Sequence, residues 1–490
     1  MSIKAASNTY FTAQVKNLLA KLYGRSILKD SFLERAIGYY EFQSFNQDKL
    51  DEFSQKISEL KAQKDNEKAK RHLSIIERDY RDYQQGLKLE SEERHRHLLS
   101  ICHEIIELTE SPSFEETNRK SAQLLGTIQL LSPTEGKRVA EINECHKPLY
   151  KAVLCLRLLE KLLIDNGDTT TDPYIREFLQ SNNRGKQQGD ENNESYNSFV
   201  ENVKIPFLMA ALVQDIGNFH PEAQSIVKGD DAKINPFKIL AVADRKKLLQ
   251  VNYRETIKFL VEGIGTATYT GNSKDEREKS KQVEKNKLLF IKRLLKSAIS
   301  PKQGIGNLIK VPQIYTSIIL STKDSYNYKL LPKVYQALNQ NAEKGICSKV
   351  VVDALRVITG DFPQGYGITY IPQDSDGRCG EHYEYAIVTK LYPKDHARPI
   401  CRIATRSLQF ICHGHDLEIP LSCNLYHPEA AKQFSRISKE RLSEILVLLA
   451  SNYTERKKLD LLPRCWNAGE YFSMKGHQKL WNKVSQEEDL

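Results

Sequence analysis

The first proline of this chain is Pro112, so nothing in its N-terminal fifth interrupts a helix by removing a backbone donor. Apolar residues there recur at three- and four-residue spacing, as in Val15, Leu18, Leu19 and Leu22, which lines them up on one helix face. Residues 8 to about 135 therefore read as almost entirely helical. From Leu50 to Leu99 the chain is highly charged, with apolar positions at Phe53, Ile57, Leu60, Leu73, Ile76 and Tyr80. Two arrangements satisfy that pattern: a long hairpin or coiled-coil-like arm, and ordinary helices packed on the remainder. Ser111-Pro112 and Ser132-Pro133 are short breaks. Ser132 or Thr134 can accept from the free amides of a first helical turn that Pro133 suits, so a helix start is expected there.

Helical spacing continues over residues 135–166, where Leu154, Leu158, Leu159, Leu162 and Leu163 share a face. Residues 181–195 are polar and poor in apolar side chains, which predicts a surface loop. Helices resume near Tyr196 and run to about Ile358, with a second loop expected at 268–279. After Gly360 the pattern changes. Tyr366–Ile371, Glu384–Leu391 and Pro399–Thr405 are short runs rich in β-branched and aromatic residues, separated by turn-forming Asp, Gly and Pro. They predict a small antiparallel β unit at 363–422. Residues 427–462 return to helical spacing, and the tail from Pro463 reads as irregular or weakly helical. The expected fold is mainly α in four parts: a helical N-terminal region at 1–135, a dimerisation or docking arm; a helical domain at 136–360; a small β subdomain at 361–422; and a C-terminal helical segment at 423–490.

With 40% hydrophobic and 28% charged residues, the composition is that of a soluble globular protein rather than a disordered one. The best candidate for a membrane span, Ile205–Val213, is too short and reads as a buried helix. The N-terminal residues lack the apolar core of a signal peptide, so a cytoplasmic location is expected. The nine cysteines include no CxxC pair, which excludes a zinc ribbon or thioredoxin-like site and predicts reduced, mostly buried thiols. Much of the net charge of +9 is local: Gly271–Lys302 holds ten basic against four acidic residues. Lys274, Arg277, Lys279, Lys281, Lys285, Lys287, Lys292, Arg293 and Lys296 form either a solvated helix face or a surface for an anionic ligand, nucleic acid or acidic partner.

The stretch Phe207–Asn218 is an apolar helix that ends in Asp215 and a helix-stopping Gly217. Its segment Ala210–Asn218 (AALVQDIGN) resembles the AALLHDIGK of the HD-GYP domain, the bacterial cyclic-di-GMP phosphodiesterase class. Three further segments follow in the family's order. Gly306–Tyr326 resembles the helix ending in VADxYDAL and places Asp324 on its Asp. Gly345–Leu355 resembles GxFDPxVVxAL. Phe362–Gly365 with Glu384–Val388 and Arg398–Ile403 resembles the small closing β element. The resemblance spans about 196–420 and implies an HD-like helical bundle in which His and Asp side chains hold one or two metal ions that activate water. The departures are larger than the matches. Gln214 replaces the central His, Asn218 the Lys, and Tyr253 falls where the next His is expected; no His lies between 221 and 381. The paired His-His-Glu and the Gly-Tyr-Pro loop are absent. Only Asp215 and Asp324 carry over, and a glutamine carboxamide is a poor substitute for imidazole on a transition metal.

Those departures lead to the expectation of a catalytically inactive HD-GYP-like regulatory or scaffold protein. It would hold no metal and would bind a protein partner, with a cyclic dinucleotide or other anionic ligand and a homodimer through the N-terminal helices as further expectations. The alternative is a metal-dependent phosphodiesterase or phosphohydrolase in which Gln214, Asp215, Asn218, Tyr253 and Asp324, joined by His220, surround Mg, Mn or Fe. A third reading is a nucleic-acid-binding protein using residues 274–302. The other histidines have simpler expectations. His220 before Pro221 caps a loop, His413, His415 and Asp416 form a polar turn, His146 beside Cys145 is structural, and His95 and His97 are solvated on a charged helix.

Overall fold

The computed structural model describes residues 8–62, 67–166, 172–184, 196–229, 235, 237, 239–299, 304–374, 376–434, 437–449 and 460–482. It is mainly helical, at 67% helix, with a small antiparallel sheet near the C-terminus. In chain order the first helices are α1 (Tyr10–Tyr23), α2 (Phe32–Ala62), α3 (Glu67–Thr109), α4 (Phe114–Leu131), α5 (Val139–Asn166), α6 (Pro173–Arg184) and α7 (Ile205–Val213). Then come α8 (Pro221–Lys228), α9 (Val242–Lys258), α10 (Lys274–Ser297), α11 (Asn307–Ile319), α12 (Val334–Glu343) and α13 (Lys349–Thr359). The chain forms two compact units. One comprises residues up to Leu19, Ile105–Asp172 and Ser297 onward; the other comprises Ala20–Glu104 and Pro173–Lys296.

In the unit built from 20–104 and 173–296, α2 and α3 form the hairpin. Phe53 lies 5.8 Å from Tyr80 and 6.0 Å from Tyr83, ring centre to ring centre. The Tyr83 hydroxyl donates to Asn46 Oδ1 at 2.7 Å, and Lys61 pairs with Glu77 at 3.0 Å. Near the base of α2 the apolar stripe closes down on Phe259, whose ring meets Phe32, Tyr39 and Tyr40. The arm is thus rooted in the unit by its first three turns, where Phe32, Leu33, Ala36 and Tyr40 are buried. Every residue of α7 is buried, as a helix apolar on all sides requires. A π-helical turn at Val200–Lys204 feeds α7, and a second at Phe259–Ile264 ends α9. The expected loop at 268–279 is shorter than predicted, since α10 already begins at Lys274. Of the expected loop at 181–195, residues 181–184 are helical and the rest lie outside the described residues.

In the other unit α5 packs against α4, α11 and α13. Ser132 does not start a helix. It closes α4, its amide donating to the Gln129 carbonyl at 3.1 Å and its hydroxyl to the Ile128 carbonyl at 2.7 Å. The sheet strands are β1 (Gly367–Tyr370), β2 (Glu384–Val388), β3 (Ile400–Ile403), β4 (Thr405–Arg406), β5 (Gln409–Phe410) and β6 (Asp416–Glu418). Four of them form one antiparallel sheet in the order β1-β2-β3-β6, with Thr369 opposite Tyr385 and Ile387 opposite Arg402. β4 and β5 make a separate hairpin. After the sheet come α14 (Pro428–Gln433), α15 (Lys439–Leu449) and α16 (Ala468–Phe472). Residues 463–482 are more ordered than their sequence indicated. Trp466, Tyr471, Phe472, Leu480 and Trp481 belong to the core over the sheet. Trp466 stacks on Tyr385 at 4.5 Å and donates from Nε1 to the Ala386 carbonyl at 3.0 Å.

Candidate functional site

Helix α7 stops at Val213, and Gln214–His220 forms a tight turn with one 3-10 segment at Ile216–Phe219. α9 holds this turn. Asn252 donates from Nδ2 to the Gln214 carbonyl at 3.1 Å, and the Gly217 amide donates to Thr256 Oγ1 at 3.1 Å. Gly217 serves close approach rather than a special backbone angle. A Cβ there would sit 2.2 Å from the Asn252 carbonyl oxygen and 2.9 Å from the Thr256 nitrogen. Gly217→Ala is therefore expected to destabilise the protein by about 2–3 kcal/mol through overpacking against backbone. Urea unfolding measures this, and a loss below about 0.5 kcal/mol, the scatter of ordinary surface changes, would show that α9 does not press on the turn.

The face of α9 turned to Gln214–Gly217 carries Asn252 and Thr256. Tyr253, one residue on, is only partly buried. Asn218 uses its backbone, with its carbonyl accepting from Gln224 Nε2 at 2.7 Å. His220 caps α8: its Nδ1 accepts from the Glu222 amide at 3.2 Å. The ring also stands edge-on to Tyr40, and Nε2 lies 3.8 Å from Glu255 Oε2. Burial holds the His220 imidazole below its usual range, against the opposing pull of Glu255. Asp324 is exposed in the turn after α11 and belongs to the other unit. Among the described residues, no group of three or more His, Cys, Asp or Glu side chains converges as a metal site would require.

The basic segment is the solvent face of α10. Phe290, Ile291, Leu294 and Leu295 are buried on its inner side, and the Tyr174 ring stacks on Phe290 at 4.6 Å. At 3.6 residues per turn, Lys274, Arg277, Lys281, Lys285, Lys292 and Lys296 fall within an arc of about 100°. Lys279 is exposed outside this arc. Lys287 pairs with Glu284 at 2.9 Å, and Arg293 lies over the Phe290 ring at 5.7 Å.

Two of the histidines read as solvated are not. His97 is half-buried, its Nε2 3.2 Å from the Lys21 carbonyl. His95 is buried at 7% exposure. It sits where α3 grips the end of the second π-helical turn. Ser91 donates to the Ile264 carbonyl at 3.0 Å, Arg94 Nε donates to the Gly263 carbonyl at 2.6 Å, and the His95 ring lines a cavity with Gly265. His95 Nδ1 is buried and has no hydrogen-bond partner among the described residues. Burial keeps this imidazole below its usual pKa, with Glu284 pulling it up and Lys287 pushing it down. With Glu201, Met209, Glu284 and Lys287 it lines a cavity of about 60 Å³. That space takes water or the tip of a side chain; a pocket for a drug-sized or nucleotide ligand needs roughly 300 Å³ or more. The flanking charges Glu92, Glu93, Arg94 and Arg96 hid His95 in the sequence. Stepping back from Ile105 through Ile101 and Leu98 by three or four residues reaches it.

Elsewhere, Asp416 is held by Arg402 Nε at 2.6 Å and Lys390 Nζ at 3.0 Å, while His415 Nδ1 lies 3.4 Å from an Arg406 nitrogen. These contacts tie Asp416, at the start of β6, to the neighbouring strand β3. No family model matches the chain, and no curated protein or solved structure matches it either. Among the described residues, no helix is long and apolar enough to cross a membrane.

Proposed function

We propose that the chain is a catalytically inactive, HD-GYP-like regulatory or scaffold protein that acts in bacterial signalling of the cyclic-dinucleotide type by binding a protein partner. The HD-GYP part of this reading rests on the four sequence segments alone. The loss of catalysis is supported by one observation: three polar groups of the 214–220 turn serve packing. The Gln214 carbonyl and Gly217 amide are tied to α9, and His220 Nδ1 caps α8. A hydrolytic metal centre needs several imidazole and carboxylate lone pairs turned toward one or two ions, with outer contacts that orient them. The stripe on α10 supplies the binding face. The one aromatic of α10, Phe290, is buried on the inner side, so the stripe has nothing on which bases can stack. An acidic protein surface fits it better than a single-stranded nucleic acid.

The test is metal content of the purified protein by elemental analysis, with cyclic-di-GMP hydrolysis assayed on the same sample after Mn²⁺ or Fe²⁺ is added. Sub-stoichiometric metal and no turnover above background are expected, unchanged in Asp215→Ala. Stoichiometric metal with turnover that Asp215→Ala removes would overturn the reading.

A further inference from the structure

The sulfur atoms of Cys379 and Cys423 lie 4.0 Å apart in one compact unit, and we infer that the two residues are a site of reversible oxidation, closing to a disulfide when the protein meets a hydroperoxide. The backbone has already brought them together. Cys379 sits on a short hairpin after β1, bridged to Gln373 and closed by the Gly380 amide donating to the Pro372 carbonyl at 2.8 Å. The base of that hairpin is fastened beside Cys423, because the Ile371 amide donates to the Cys423 carbonyl at 2.9 Å. Bond formation thus needs a movement of the two side chains, with no rearrangement of the sheet. The pair is unequal in a way that orders the chemistry. Cys379 is half-buried and reachable, and its sulfur accepts a hydrogen bond from Gln373 Nε2 at 3.7 Å. Cys423 is buried in the core over the sheet, where burial raises its pKa to about 11 and keeps it protonated.

In the first step the Cys379 thiolate attacks one oxygen of hydrogen peroxide. An S–O bond forms, the O–O bond breaks, and the departing hydroxide takes a proton to become water. In the second step the Cys423 sulfur attacks the resulting sulfenic acid. The S–S bond forms, the S–O bond breaks, and the leaving hydroxide carries away the Cys423 proton as water. Two thiols lose two electrons and two protons, and one peroxide becomes two waters. An external thiol reverses the bond by exchange, entering at the accessible Cys379 sulfur. The product fastens the 372–380 hairpin to the turn at Cys423.

The experiment treats the full-length protein with hydrogen peroxide, blocks remaining thiols with N-ethylmaleimide, and maps peptides by mass spectrometry without reduction. The expected result is a 379–423 cross-linked peptide that accounts for most of Cys379 and disappears on adding dithiothreitol. Cys423→Ser should instead leave Cys379 as a sulfenic acid that dimedone traps. Because Cys423 is a core residue, the wild-type map decides by itself if that variant fails to fold. The inference is overturned if wild-type Cys379 accumulates as sulfenic or sulfinic acid while Cys423 still takes the block after unfolding. It is equally overturned if Cys379 pairs with the exposed Cys412 or with a second molecule.

Discussion

Glu110→Ala should destabilise the protein by about 3 kcal/mol, the low end of the cost of breaking a buried ion pair, because Arg157 keeps a second partner in Glu160. Arg157 lies inside α5 with 1% of its side chain exposed, and Glu110, immediately after α3, has 7% exposed. Arg157 Nη2 donates to a Glu110 carboxylate oxygen, and Nη1 lies 2.8 Å from Glu160 Oε2. Its Nε is buried without a hydrogen-bond partner among the described residues, so without Glu110 the guanidinium falls back on Glu160. Urea denaturation of the variant measures the loss. The double variant Glu110→Leu, Arg157→Met should recover part of it, because the apolar pair has no charge to desolvate while the partly exposed Glu160 loses its partner to solvent. A double variant as unstable as Glu110→Ala would show that lost packing, rather than an unpaired charge, sets the cost.

The second large effect is acid sensitivity at His146. Its Nδ1 lies 2.8 Å from the Ser132 hydroxyl oxygen, whose proton goes to the Ile128 carbonyl, so the imidazole nitrogen is the donor of that bond. Burial pushes the His146 pKa down to about 4 from 6.5, and no charged neighbour contributes. The folded state therefore favours neutral His146, whereas the unfolded chain takes up a proton near its ordinary pKa. The stabilisation is complete above about pH 6.5 and is lost as pH falls through about 4. A full shift of this size corresponds to roughly 3 kcal/mol; the partly exposed ring edge meets water, and about 2 kcal/mol is expected. His146→Gln, which keeps a donor and does not titrate, should flatten stability against pH between 6.5 and 4. An unchanged slope in that variant would place the acid sensitivity elsewhere.

The proline-free N-terminal stretch was a sound guide to helix, and its alternation of charge with Phe53 and Tyr80 was a sound guide to pairing. Both are local properties, since the spacing of apolar residues on a helix depends only on its period. The β unit was equally visible, because runs such as Glu384–Val388 are bounded by strong turn formers. His95 and the tail were not. His95 is surrounded in sequence by charges, and only its position on the Leu98–Ile105 face, together with the carbonyls left open by a π-helical turn at 259–264, takes it out of solvent. Trp466 and Trp481 looked like residues of a loose tail until the sheet offered Tyr385 and its neighbours to cover.

By itself the sequence determined the mainly helical class, the antiparallel strands after Gly360, the buried course of α7 and the basic outer face of α10. Each follows from a repeat within a dozen residues. Tertiary structure decided the rest. It made Gly217 a point of contact with Asn252 instead of a mere helix stop, and gave His220 to the cap of α8. It put Asp215 and Asp324 in different compact units and set Cys379 beside Cys423. The physical reason is the same throughout. Local periodicity fixes which face of an element is apolar, but the neighbour that meets that face is chosen by close packing among segments tens to hundreds of residues apart.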